Sequence, residues 1–324
     1  KMKILVTGGA GYIGSHAVKE LVKEHDVIVF DNLSKGYKEA VDKKSKFIKG
    51  DLSNFNEINE HLRKNSVDAV IHFAGFIEAG ESMLFPEKYF KNNVVNGINL
   101  LNAMVKNNVK KIIYSSSAGV YGNPKNIPIK EEDETTPSNP YGESKLIFEK
   151  ILKWYDKIHN IKFVALRYFN AAGSCGALGE QHNPETHLIP LILKAAINNS
   201  EIKIFGVDYP TKDGTCIRDY IHIVDLVNAH ILALNNLDSE SKIYNLGNEK
   251  GYSVKEVIEM ARKITGKDIK FIEAERRKGD PVALIASSEK IKKELGWKAK
   301  YDLKVMIESA WNYHKIYGNY NNLK

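Results

Sequence analysis

Short apolar runs recur along the first half of the chain, each followed by enough residues for one helix. Ile4-Leu5-Val6, Val27-Ile28-Val29-Phe30, Lys46 to Lys49, Ala69-Val70-Ile71-His72-Phe73, Ile112-Ile113-Tyr114 and Phe163-Val164-Ala165-Leu166 read as strands. Such compact, near-continuous apolarity marks strands covered on both faces, as in a parallel sheet. Between them, Tyr12 to Val22, Ile58 to Arg63, Pro86 to Lys106 and Tyr141 to His159 read as helices. The alternation predicts an α/β fold with a doubly wound parallel sheet. Ligands in that architecture gather beyond the carboxyl ends of the strands, here Gly8, Asp31, Phe73-Ala74-Gly75 and Ser115-Ser116-Ser117.

Beyond Asn170 the alternation loosens. Ala171 to Pro184 reads as a glycine-rich loop opening a second, smaller α/β lobe that uses the helix Leu188 to Ile197, the strand Ile202 to Phe205 and the stretch Lys267 to Gly279. Parts of 218–250, including the strand Ile243 to Leu246, read as returning to the first domain. The expected division is therefore 1–170 as a Rossmann-type dinucleotide-binding domain and 171–324 as mainly a substrate-binding lobe.

The first strand runs into Gly8, Gly11 and Gly14 before the first helix. Glycines at these places allow a tight reversal, close approach of backbone to a ligand, and close helix–strand contact. The helix that follows aims its N–H groups and positive dipole end at the turn, which suits a phosphate. Asp31, about 20 residues on at the end of the second strand, stands where ribose hydroxyls need a carboxylate. A carboxylate there repels a 2′-phosphate, which favours NAD over NADP. A strand-end turn aspartate is the plainer alternative. Asp51-Leu52 suits a loop beside an adenine.

Tyr141 and Lys145 are four residues apart and share one helix face. A tyrosine titrates at about 10 and is a poor base at neutral pH. A neighbouring ammonium, with the positive ring of an oxidised nicotinamide, is expected to favour the phenolate. Ser117, at a strand's carboxyl end, is placed to orient the same substrate hydroxyl.

The totals narrow the class. With 324 residues, 43% hydrophobic and 27% charged, the chain is ordinary globular protein, and no apolar run approaches a membrane span. The first residues read as strand rather than signal peptide, and Cys175 and Cys216 are too few for a disulfide framework, so the expected compartment is the cytoplasm. The net charge of +7 is scattered over helices, as at Lys290, Lys292 and Lys293, which argues against nucleic acid. The acidic cluster Glu131 to Glu134 reads as a solvated loop. The histidines, His182 and His187 among them, show no metal-ligand spacing and no metal is expected; His222 reads as a hydrogen-bonded core residue.

Taken together, the glycine turn, Asp31-Asn32-Leu33, Phe73-Ala74-Gly75, Asn92, Ser115-Ser116-Ser117-Ala118 and Tyr141-x-x-x-Lys145 resemble the extended short-chain dehydrogenase/reductases. Arg167-Tyr168-Phe169-Asn170, Asp213 to His222, Tyr244-Asn245-Leu246-Gly247 and Arg276-Arg277-Lys278-Gly279-Asp280-Pro281 resemble the UDP-glucose 4-epimerase branch of that superfamily. The resemblance spans essentially the whole chain. It implies a tightly held NAD that takes a hydride from carbon 4 of a UDP-hexose and returns it to the opposite face of a 4-keto sugar, interconverting UDP-glucose and UDP-galactose. Tyr141, Lys145 and Ser117 would be catalytic. Gly8, Gly11, Tyr12, Ile13, Gly14, Asp31, Asn32, Leu33, Ser34, Asp51, Leu52, Phe73, Ala74, Gly75, Asn92, Ser115 and Tyr168, with Tyr141 and Lys145, would hold the cofactor. Ser117, Tyr141, Phe169, Asn170, His187, Leu188, Phe205, Arg218, Arg277, Asp280 and Ala283 would hold the substrate, the arginines as forked donors to the diphosphate and Asp280 as acceptor from the uridine ribose.

Two positions depart from the pattern. Ile77 stands where some epimerases carry a lysine near the cofactor. Ala283 stands near the place of a bulky tyrosine in some members, leaving room at carbon 2 of the sugar, so UDP-GlcNAc and UDP-GalNAc are further expected substrates. Family members are often homodimers, with Pro86 to Lys106 and Tyr141 to His159 as the contact surface. The alternatives are a nucleotide-sugar dehydratase or decarboxylase, or a non-catalytic NAD-binding regulator. A 4,6-dehydratase needs an Asp-Glu pair after Ser117, where this chain has Ala118-Gly119.

Overall fold

The computed structural model describes residues 1–277 and 279–317; Lys278 of the quoted basic motif lies outside them. The chain forms two compact units. One comprises Lys1–Gly122, Glu134–Arg167 and Val227–Tyr244, the other Asn123–Asp133, Tyr168–Leu226 and Asn245–Lys324. Among the described residues no helix is long and apolar enough to cross a membrane.

The first unit is built on a seven-stranded sheet. From edge to edge its strands are Lys242–Leu246, Lys162–Tyr168, Lys111–Ser117, Ala69–His72, Lys3–Thr7, Asp26–Asp31 and Lys46–Lys49. Pairing from Lys111–Ser117 to Lys46–Lys49 is parallel throughout. Leu5 pairs with Ile28 on one side and Val70 on the other, and Val6 with Val29 and Ile71, so the register aligns rows of fully covered aliphatics. Burying each contributes about 1.5–3 kcal/mol, which is why the short runs are so uniformly apolar. The strand order reverses between Lys3–Thr7 and Ala69–His72, and the crevice beyond two such strand ends is where doubly wound sheets bind ligands.

The stretch Pro86 to Lys106 is not one regular helix. A π-helical turn, Phe90–Val95, sits between Pro86–Tyr89 and Asn96–Lys106. Such turns re-aim a side chain inward and cluster at functional sites; here the side chain is Asn93, only 3% exposed.

In the second unit the central strand is Ile217–His222. It pairs with Gly251–Ser253, Ala283–Leu284 and Asn170–Ala172, so the stretch expected as loop from Ala171 opens with a strand. A separate pair joins Ile202–Phe205 to Phe271–Ala274. The helices Leu188–Asn198, Val254–Thr265 and Leu303–Tyr317 share a core with Ile189, Leu193, Val257, Met306 and Ile307. Glu131 does not belong to a fully solvated loop: it is half-buried and its carboxylate accepts the Asn245 N–H at 2.8 Å, while Asn245 Nδ2 donates to Ile129 O.

Candidate active site

The glycine turn is held by packing that admits no side chain. Gly8 has φ +69°, and a Cβ there would lie 2.6 Å from the Ala74 nitrogen; a Cβ on Gly14 would collide with Gly8 O. The end of the first strand, the first helix and the Phe73-Ala74-Gly75 turn are thereby brought together. Gly11 caps the helix Tyr12–Leu21 with no side-chain hydrogen bond. Asp31 is buried; its Oδ2 accepts the Ala10 N–H at 3.0 Å and its Oδ1 the Leu33 N–H at 2.8 Å. Two of about four lone-pair sites on the carboxylate are used, which leaves acceptors for a ribose. Asp51 accepts from Asn32 Nδ2 and Ser53 N, both at 2.8 Å, and these bonds outweigh its partial burial to hold its pKa below the usual range. The Asn32 carbonyl in turn accepts the Ser34 N–H. These residues fit a dinucleotide.

Asn93, next to the expected cofactor residue Asn92, organises the turn beyond the fourth strand. Its amide accepts the Phe76 N–H at 2.8 Å and donates to Phe76 O and Ser144 Oγ, both at 3.0 Å, and Asn92 Nδ2 donates to Asn93 Oδ1 at 3.0 Å.

Tyr141 lies in the first turn of the helix Pro140–His159. Asn139 caps that helix through Gly142 N at 2.9 Å, Pro140 stands in its first turn, and Ser82 Oγ accepts the Tyr141 N–H. Gly142 lets the helix seat against the Gly119 carbonyl, where any Cβ would collide. That close approach lets the Tyr141 phenol hydrogen-bond Ser117, whose Oγ also accepts the Gly119 N–H at 3.0 Å. The glycine that takes the place of a dehydratase's acid is thus part of the seating of the tyrosine. One turn on, Lys145 is buried; its Nζ donates to Ser115 O at 2.7 Å and lies 5.9 Å from the centre of the Tyr141 ring.

The electrostatics differ from the expectation. Burial pushes the Tyr141 phenol up, the Ser117 bond partly offsets this, and the Glu78 carboxylate raises it further. Burial lowers Lys145 to about 8, with the Glu149 charge acting against it. The protein alone therefore favours the neutral phenol, because desolvation and the Glu78 charge outweigh the Ser117 bond, while the Lys145 ammonium spends a hydrogen bond on Ser115.

Beneath this pair lies a buried network that sequence reasoning did not find. Glu149, one turn after Lys145, is clamped by Arg167 Nε at 2.9 Å and Nη2 at 2.6 Å, and accepts from Ser116 Oγ at 2.6 Å. Arg167 Nη1 reaches the Tyr121 hydroxyl at 2.8 Å. The serine strand and the Tyr141 helix are held through this one carboxylate. Glu78 was missed as well; it pairs with Lys35 at 2.8 Å and accepts from Tyr89 Oη at 3.2 Å.

The second unit gathers the expected nucleotide residues. Arg218 Nη1 donates to Ile217 O at 2.8 Å and Pro281 O at 2.9 Å, and its Nη2 lies 4.0 Å from Asp280 Oδ1. The Arg277 guanidinium stacks 4.0 Å from the centre of the Phe205 ring. Asn170 pairs with Tyr220 of the central strand, Phe169 donates to Leu246 O at 3.0 Å, and His187 is the N-cap residue before Leu188. Asp219 explains much of the motif around it. It is fully buried and accepts the N–H groups of Asn248, Glu249 and Ala286 at 2.8–3.1 Å, joining the Tyr244-to-Gly247 motif to the segment after Asp280. His222 is buried between Val224 N and Ser309 Oγ. Register pairs Ala283 with Ile217 and Leu284 with Arg218. Successive strand residues alternate faces, so Leu284, one position on from Ala283, shares the Arg218 face. Glu180, His182, Glu185 and His187, which no spacing rule picked out, form a tight group in this unit.

Residues 4–247 match the model of the NAD dependent epimerase/dehydratase family. The chain belongs to this family. A UDP-glucose 4-epimerase of Lacticaseibacillus casei is 50% identical over 321 residues, 97% of each chain. Among solved structures, the UDP-glucose 4-epimerase of Bifidobacterium longum in complex with NAD+ and UDP is 41% identical, with TM-score 0.94 over 98% of this chain and 99% of the other. The UDP-Glc/GlcNAc 4-epimerase of Campylobacter jejuni is 42% identical, with TM-score 0.85 over 98% and 100%. Membership in an NAD-dependent epimerase family supplies NAD as the cofactor.

Proposed function

We propose that this protein is an isomerase, an NAD-dependent UDP-hexose 4-epimerase that interconverts UDP-glucose and UDP-galactose. The observation that carries the reading is Tyr141 hydrogen-bonded to Ser117 with Lys145 on the same helix, beside a glycine turn that admits no side chain. NAD, when bound, supplies carbon 4 of the sugar with a hydride acceptor and then a donor, and its positive ring favours the phenolate that the protein alone disfavours. Tyr141 takes the proton of the 4-hydroxyl and returns it after the 4-keto sugar has turned over. Ser117 orients that hydroxyl, and Lys145 stabilises the phenolate and fixes the ribose side of the cofactor. Gly8, Gly11 and Gly14 admit the diphosphate of NAD, with Asp31 on its ribose and the Asn32, Leu33, Ser34, Asp51 and Leu52 loops around its adenine.

The second unit supplies Arg218 and Arg277 for the substrate diphosphate, Phe205 as a stacking face, and Asp280 for the uridine ribose. Chromatography of the products from UDP-galactose tests the reading. UDP-glucose at equilibrium supports it, whereas a 4-keto-6-deoxy product or no turnover overturns it.

Acceptance of UDP-GlcNAc and UDP-GalNAc is a further part of the proposal. The aliphatic Leu284 on the Arg218 face and the small Ala283 before it support it, as does the relative from C. jejuni named for both sugars. Loss of UDP-GlcNAc turnover in Leu284→Tyr, with UDP-glucose turnover kept, is the expected result; no turnover of UDP-GlcNAc by the parent refutes it. We further infer a cytoplasmic homodimer. Val95 on the π-helical turn and Trp154 and Ile158 on the neighbouring helix, the two elements expected to form the contact surface, are 53%, 59% and 66% exposed. Sedimentation of the parent against Trp154→Glu tests the association.

A further inference from the structure

Within eight consecutive residues of the second unit, Glu180, His182, Glu185 and His187 each turn a ligand atom toward a common point. The four atoms all lie within 4.8 Å of one another. His187 Nδ1 is 2.5 Å and His182 Nδ1 3.3 Å from Glu180 Oε1; His182 Nδ1 is also 3.6 Å from Glu185 Oε2. The rings of His182 and His187 stand edge to face at 75°, their centres 5.0 Å apart, so their nitrogens converge while the rings stay clear of each other. Glu180 is 4% exposed, and Glu185 is steadied by the N–H groups of Thr186 and His187, both at 2.9 Å.

A tetrahedral ion with nitrogen and oxygen ligands at about 2.0–2.2 Å requires ligand atoms about 3.3 Å apart. The observed separations bracket that figure, and closing the site needs shifts of about an ångström in four side chains on one short loop. Two imidazoles with two carboxylates suit a borderline ion such as zinc and not magnesium or calcium, which take all-oxygen shells. The two carboxylates also neutralise a dication. We propose that these four residues form a binding site for a zinc-class divalent cation. The ion ties the 180–187 loop to the start of the Leu188–Asn198 helix, whose N-cap residue, His187, makes no side-chain cap of its own. Tyr141, Lys145 and Ser117 take no part, and of the four ligands only His187 belongs to the proposed substrate set, so His182 and Glu185 test the site apart from the epimerase reading.

Purified protein, stripped with chelator and dialysed, is titrated with Co2+ and with Zn2+. The expected result is one ion per chain, with the intense visible absorption of four-coordinate cobalt, displaced by zinc. His182→Asn and, separately, Glu185→Gln are expected to weaken binding by about 100-fold or more, the upper end of what even an outer-shell partner costs. His187 is left intact because it belongs to the proposed substrate set. Circular dichroism checks that each variant folds; Glu185→Gln carries the test if His182→Asn does not fold. No saturable binding, six-coordinate cobalt only, or equal binding in a folded variant overturns the proposal and leaves the cluster as imidazolium–carboxylate pairs.

Discussion

On the proposed function the two units each hold a phosphorylated ligand, and they are built for it by opposite means. In the first, a regular parallel sheet delivers strand ends to one edge, and glycines and a capped helix set the reacting groups there. The chemistry stands on a buried lattice: Tyr141 on a helix seated against Gly119, Lys145 on Ser115 O, Glu149 clamped by Arg167. In the second, short strands and loops are tied by a single buried carboxylate, Asp219, and the candidate ligand groups are partly exposed cations near the chain's irregular segments. Regular structure positions; irregular structure recognises. The prediction that follows is that damage in the first unit strikes turnover and folding, and damage in the second strikes substrate affinity.

Tyr141→Phe is the sharpest break. It removes the group that takes and returns the proton while keeping the ring, so turnover is expected to fall by about 10²–10⁴-fold with NAD still bound. Steady-state rates with cofactor content measured on the same preparation check it. A variant as fast as the parent removes the basis for assigning chemistry to the first unit. Next in size is Arg167→Met. Leaving Glu149 buried and unpaired is expected to cost about 3–5 kcal/mol of stability, read from urea denaturation. Because Glu149 opposes the loss of charge on Lys145, turnover should fall as well in whatever fraction remains folded.

Arg218→Lys sharpens the other side. It keeps the charge and loses the fork that now bonds Ile217 O and Pro281 O. Charge-assisted hydrogen bonds are worth about 1.5–3 kcal/mol, so KM for the UDP-sugar is expected to rise about 10-fold or more with kcat little changed. A drop in kcat at unchanged KM would show that the second unit shares in the chemistry.

What the sequence made legible follows the same division. Strand runs of the first unit could be read almost residue by residue where the strand is buried on both faces, as at Ala69–His72; the edge strand Lys46–Lys49 and the helix through Tyr141 and Lys145 also match the sequence pattern. The groups that failed to show are those whose partners are distant in sequence. Glu149 meets Arg167 across 18 residues and Ser116 across 33, and nothing local marks a glutamate in mid-helix as buried. Asn93 meets Phe76 across 17 residues and Ser144 across 51, and its inward turn depends on the π-helical turn. The cluster of Glu180, His182, Glu185 and His187 escaped because histidine spacing was weighed without the intervening glutamates. In the second unit, Arg218, Arg277 and Asp280 were legible only through motif resemblance, because loops carry no periodicity to read.

The smallest effect expected is also the one that separates charge from architecture within the first unit. Glu78 is held by Lys35, Tyr89 and the Ile77 N–H, and its charge raises the Tyr141 pKa. In Glu78→Gln the amide keeps an acceptor but loses the charge. With less negative potential nearby, the phenol gives up its proton more readily. The acid limb of kcat/KM, where activity rises as Tyr141 ionises, is therefore expected to move to lower pH by a fraction of a unit. Lys35, about one-third exposed, turns to water and is not stranded. An acid limb that stays in place while stability falls would mean that Glu78 only braces the loop after Gly75; a limb that moves to higher pH would mean that Lys35, released, withdraws a positive charge the site relies on.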